Sequence, residues 1–151
     1  MNPYKNDYIP KIFEVYSVID VKSSYIIEIQ SGKQLKKIKF KKNDSIYFNP
    51  DQFELISLMI DQNIGFDITG VTYLNNHDSS KFIEQMRTII NDLNAMSLVD
   101  SLKKNDLYKF VYTNFQEEFF ETIEVRALVN SLNTLIDFII DSHYEITIMG
   151  V

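Results

Sequence analysis

Glu117, Glu121 and Glu124 fall at i, i+4 and i+7, with Glu118 beside them, so a helix through this segment carries a stripe of carboxylates. Phe115, Phe119 and Phe120 accompany it. Like charges at this spacing mildly destabilise a helix. Carboxylates flanked by aromatic rings suit recognition of a basic protein: the charges steer association and the rings anchor it. The structural alternative is a solvated helix face whose first acids favour the helix dipole.

A second charged pattern has the opposite sign. "SGKQLKKIKFKKND" (31–44) holds Lys33, Lys36, Lys37, Lys39, Lys41 and Lys42. On a strand over 35–41, Lys37, Lys39 and Lys41 share one face, while Ile38 and Phe40 lie on the other with Lys36 and Lys42. Such lysines can contact phosphates, or they can keep a sheet edge from aggregating. A pI of about 4.9 and only two arginines among fifteen basic residues disfavour the nucleic-acid reading. The charge is divided along the chain. Residues 1–42 carry nine lysines and four acids, a net of +5; residues 43–151 carry six basic residues and seventeen acids, a net of −11. The whole chain stands at −6.

No catalytic, cofactor or metal motif is found. The two histidines, His77 and His143, lack ligand spacing; the first reads as a turn residue and the second as a cation against a helix C-terminus. Gly32, Gly65, Gly70 and Gly150 form neither a phosphate-binding loop nor a dinucleotide fingerprint. Without cysteine there are no disulfides, thiolate metal sites or Cys nucleophiles. Ser79 and Ser80 lie near His77 and Asp78, but a catalytic triad needs side chains converging in space.

"FDITGVTYLNNHDSSKF" (66–82) resembles the central strand-turn-helix of STAS domains, the anti-sigma-factor antagonist family, where a strand leads into an Asp-Ser-Ser-Gly turn with a phosphorylatable serine. Here Lys81 stands where Gly is expected, and "NNH" lengthens the turn. The resemblance covers seventeen of 151 residues and implies Ser79 or Ser80 as phosphoacceptor. Read without it, one of these serines caps the helix.

These residues need a scaffold. At 151 residues, 45% apolar and 24% charged, the chain suits one domain with a real core. Residues 1–10 read as an N-terminal arm. "KIFEVYSVIDV" (11–21), "SSYIIEIQ" (23–30) and "LKKIKFK" (35–41) read as strands, with "SIYF" (45–48) a further short apolar piece. Asn49 caps a helix over 49–63 with Pro50 at its first position; Phe53, Ile56 and Ile60 form its buried stripe. A strand at 65–74, a turn "NNHD", and a long helix over 79–104 with a break near Ser97 follow. A strand at 106–114, a helix at 115–141 and a strand at 143–150 complete the order.

The expected fold is α+β: an N-terminal antiparallel meander continuing into a mixed sheet, covered by two long helices and one short helix, in a single domain over 1–151. The N-terminus has no apolar core of a signal peptide, and the longest apolar run, "LISLMI", is too short to span a membrane. A cytoplasmic setting is expected, and the excess of Lys over Arg reads as codon bias of an AT-rich bacterial or phage genome. The expected role is that of a small acidic protein-binding module, not an enzyme. Its most concrete form is a bacterial immunity protein neutralising a basic toxin, of nuclease type, through Glu117, Glu118, Glu121, Glu124, Phe115 and Phe119. No cofactor, metal or membrane enters this expectation, and homo-oligomerisation stays open. The alternatives are a STAS-like phospho-regulated antagonist and a nucleic-acid binder using the Lys33–Lys42 stripe.

Overall fold

The computed structural model describes residues 26–33, 44–50, 53, 56, 70–104 and 125–150. Four strands, β1 (Ile27–Ser31), β2 (Ile46–Phe48), β3 (Val71–Leu74) and β4 (Ile146–Gly150), form one sheet in the order β2-β1-β4-β3. The helices described over a continuous range are α1 (Asn76–Ala95), α2 (Leu98–Lys104) and α3 (Val125–Asp141). The α+β class expected from the sequence is the class observed. All three described strand pairings are antiparallel, so the crossover alternation that suggested parallel pairing has no parallel pair among the described residues. The strands expected at 11–21, 35–41 and 106–114 lie outside the described residues.

The pleat divides the sheet into two faces. Ile27, Ile29, Phe48, Leu74, Ile146 and Ile148 point to one face and join a single core with Phe82, Met86, Ile89 and Leu93 of α1 and Leu128, Leu132, Leu135, Ile136 and Ile139 of α3. The register is the one this pattern requires, with Ile27 opposite Phe48 and Ile29 opposite both Ile46 and Ile148. Each side chain of this size removed from water contributes about 1.5–3 kcal/mol. Helix α1 packs against α3 and β3, and α3 keeps the 3.6-residue apolar period that predicted it.

Side-chain caps set the helix boundaries. Asn75 caps α1: its carbonyl accepts from the Ser79 amide at 2.8 Å and its Oδ1 from the Asp78 amide at 2.9 Å. The "NNHD" segment is therefore the cap and first turn of α1 and no free turn. Ser97 starts α2 in the same way, its carbonyl taking the Ser101 amide at 2.9 Å and its hydroxyl the Asp100 amide at 3.2 Å. That cap is the reason for the break expected near Ser97. Lys104 then pairs with Asp92 at 3.0 Å and ties α2 back to α1. Asn49 accepts the Phe53 amide at 3.0 Å, and Pro50, Phe53 and Ile56 are helical, with both apolar side chains buried. The last strand begins at Ile146, not at 143, because residues 142–144 form a turn.

Candidate functional site

The described surface and interior hold three polar arrangements. The first is buried. The face of β1 opposite the helices carries Glu28 and Gln30, with Glu28 wholly inaccessible to water. Its carboxylate accepts from the Ser45 hydroxyl at 2.7 Å, the Gln30 amide at 2.9 Å and the Tyr47 hydroxyl at 3.4 Å. Burial, followed by the Glu28 charge, pushes the Tyr47 phenol up to about 12. A buried carboxylate needs such donors to offset its lost hydration. This network locks the end of β2 onto the centre of the sheet.

The second lies where β1 ends. Lys33 Nζ sits 5.1 Å from the centroid of the Tyr73 ring, and the Tyr73 hydroxyl donates to Glu145 Oε1 at 2.6 Å. That hydrogen bond is the main cause raising the Tyr73 phenol above its ordinary value. Gly32, at φ +81°, donates its amide to the Glu145 carbonyl at 2.7 Å, and the Thr147 hydroxyl donates to the Gly32 carbonyl at 2.7 Å. The turn that launches the lysine-rich segment is thus fastened to β4. Positive φ at this position is what glycine supplies without strain.

The third is a groove of about 390 Å³ on the outer face of α1. Ser80, Glu84, Arg87, Thr88 and Asn91 line it at i, i+4, i+7, i+8 and i+11, with Ile83 as its apolar floor and Tyr144 as its far wall. At 1.5 Å per residue, these positions run along about 16 Å of helix. Tyr144 stands there because the chain leaves α3 through two left-handed residues, His143 at φ 56° and Tyr144 at φ 61°. Each costs roughly 1–2 kcal/mol outside glycine. The Asn76 amide offsets part of this: oriented by its hydrogen-bond network, its nitrogen donates to the carbonyls of Tyr144 at 3.1 Å and His143 at 3.2 Å. The Tyr144 amide in turn donates to the Ile139 carbonyl at 3.0 Å, closing the end of α3.

The sequence-predicted residues fare unequally. Phe115, Glu117, Glu118, Phe119, Glu121 and Glu124 lie outside the described residues; α3 is described from Val125 onward, the next position in the chain. Of the lysine stripe, Lys33 is described. His77 is in the first turn of α1 and not in a loop, and Asn76 brings its segment against the His143 turn. Ser79 is buried and donates to the Leu74 carbonyl at 3.3 Å, whereas Ser80 is exposed on the groove. Neither serine caps α1, because Asn75 does. Glu84, Arg87 and Tyr144 were not singled out from sequence. The signal for the first two was present, since they complement the buried period of Phe82, Met86, Ile89 and Leu93; nothing local pointed to Tyr144.

Among the described residues, no three His, Asp or Glu side chains gather in a group suited to a metal ion. No described helix is long and apolar enough to cross a membrane. Comparison with protein-family models, with curated proteins and with solved structures finds no match for this chain.

Proposed function

We propose that this chain is an acidic protein-binding module, most concretely a bacterial immunity protein that occludes the basic surface of a cognate toxin of nuclease type and works by binding, not turnover. The observation that carries this reading is the division of charge, with a net of −11 over residues 43–151. A surface of that sign steers a cationic protein into fast encounter and opposes nucleic acid. Three described acids already serve the fold: Glu28 in the buried network, Asp92 in the bridge to Lys104, and Glu145 on Tyr73. The carboxylates assigned to docking, on their helical spacing, are Glu117, Glu118, Glu121 and Glu124, with Phe115 and Phe119 as anchors. The test is capture from the native host with the wild-type chain and with the E117K/E121K/E124K variant. Wild type should retain a basic protein and relieve its toxicity on co-expression, and the variant should do neither. Equal capture by both would sink this assignment of the surface.

The exposure of Ser80 favours a second reading, a phospho-regulated antagonist of the STAS kind. Ser79 is buried with its hydroxyl engaged, so Ser80 is the better acceptor of the two. Intact-mass measurement on protein from native cells decides this: a fraction heavier by one phosphate, lost in Ser80→Ala, supports it.

A further inference from the structure

We propose that the groove between α1 and Tyr144 is a docking subsite for a lysine or arginine side chain carried on an extended segment of a basic partner. The inference rests on the protein-binding reading and adds a second contact surface to it.

Backbone strain and groove coincide here. The chain holds two consecutive non-glycine residues in the left-handed region, and the outcome is an exposed aromatic ring at one wall of a groove. Strain of this kind persists where the surrounding structure over-determines it, and it gathers at binding sites. Asn76 supplies that determination by holding both carbonyls of the turn. Tyr144 as a whole is 37% exposed.

An aromatic residue, Tyr144, and an acid, Glu84, both line the groove, so it offers a cation two complementary groups beside Arg87. Glu84 makes no ion pair with Arg87, although the two are one turn apart on the same helix face. The fold already sets one of its own lysines over a tyrosine elsewhere: Lys33 lies over the Tyr73 ring, whose hydroxyl donates to Glu145. A cation over an aromatic face is attracted by the ring quadrupole, and a nearby carboxylate adds to the attraction. Arg87, toward the Asn91 end, gives direction: it can take a backbone carbonyl of the incoming segment while Glu84 and Tyr144 hold the cationic side chain. A net charge of −6 draws a basic segment to the surface and repels an acidic one.

The experiment is an NMR titration of the isotope-labelled protein with two synthetic peptides of equal length, one arginine-rich and one glutamate-rich. The arginine peptide should shift the amides of Ser80, Glu84, Arg87 and Tyr144, and the glutamate peptide should leave them in place. Glu84→Gln and Tyr144→Gly should each weaken binding about threefold to tenfold. His143→Gly changes the same turn without removing the ring and should leave affinity unchanged. Shifts mapping elsewhere, equal response to both peptides, or unaltered affinity in Tyr144→Gly would each overturn the subsite. Thermal melts of the variants separate a lost contact from a lost fold. The wider reading fails separately: if wild type captures no basic protein from its host while the peptide result holds, the groove stands and the immunity role falls. If a toxin is captured and neutralised equally by Tyr144→Gly, the subsite falls and the role stands.

Discussion

Glu28 and Tyr47 face each other across the β1–β2 ladder, both wholly buried, and the phenol donates to the carboxylate at 3.4 Å. The pair has a consequence for stability against pH. The folded-state phenol titrates at about 12, above its ordinary 10.0, because burial and then the Glu28 charge disfavour the phenolate. The folded protein thus holds the proton more tightly than the unfolded chain. The stability this contributes, roughly 2–3 kcal/mol, is fully present below the unfolded pKa and is lost as pH rises toward 12. Denaturant melts across the alkaline range should show this fall. In Tyr47→Phe the fall should shrink, at a cost near neutral pH of about 1 kcal/mol for the lost hydrogen bond.

Removing the acceptor is a harsher change. Glu28→Ala leaves the Ser45 hydroxyl and the Gln30 amide without the carboxylate they now contact. Stranding buried donors costs about 1–3 kcal/mol each, so a loss of roughly 3 kcal/mol or more is expected in chemical denaturation. Glu28→Gln keeps the shape and one acceptor and should lose clearly less. Equal losses would show that the retained shape and single acceptor contribute nothing, and that the charge and second oxygen hold the network together.

The caps and the strained turn make opposite predictions. Asn75→Ala should cost about 1 kcal/mol, since it removes the side-chain acceptor of the Asp78 amide. Ser80→Ala, at an exposed helical position, should stay within roughly 0.5 kcal/mol. His143→Gly should stabilise by about 1 kcal/mol, because glycine takes φ 56° without a Cβ clash. Thermal or urea midpoints read all three. A destabilised His143→Gly would mean that the turn is held for its side chain and not merely tolerated.

What could be read from the chain follows from how local each signal is. Helix α3 is legible because Leu128, Leu132, Leu135, Ile136 and Ile139 keep one period over about three turns, and the period reports burial directly. The break at Ser97 and the helix after Asn49 are legible for the same local reason, a capping residue next to an apolar run. The start of α1 is not, because Asn75, Asn76, Asp78 and Ser79 all lie within one turn and offer competing cap chemistry, and geometry selects Asn75. Glu28 is illegible for another reason. It sits between Ile27 and Ile29 on a strand buried on both faces, and no local pattern marks it as a buried network centre. Tyr144 meets α1 only through the chain reversal after α3, a contact spanning more than fifty residues that no local pattern encodes.

The acidic stripe carries the last prediction. Charges at the rim of an interface act mainly on the association rate, whereas a buried, paired carboxylate costs about 2–5 kcal/mol when its partner is stranded. E117K/E121K/E124K takes the formal net charge from −6 to zero. A neutral chain associates non-specifically more readily, so reversal alone confounds steering with solubility. The matched E117Q/E121Q/E124Q variant stops at −3 and removes the stripe while keeping a net negative charge. If these glutamates dock a basic partner at the rim, both variants should bind more slowly and lose salt dependence, the lysine set more than the glutamine set, with dissociation little changed. If they are paired and buried at the interface centre, dissociation should accelerate strongly in both. Stopped-flow association at several salt concentrations separates the two cases. Unchanged rates in both variants would reduce the stripe to a solvated helix face and move the contact surface to the groove beside Tyr144.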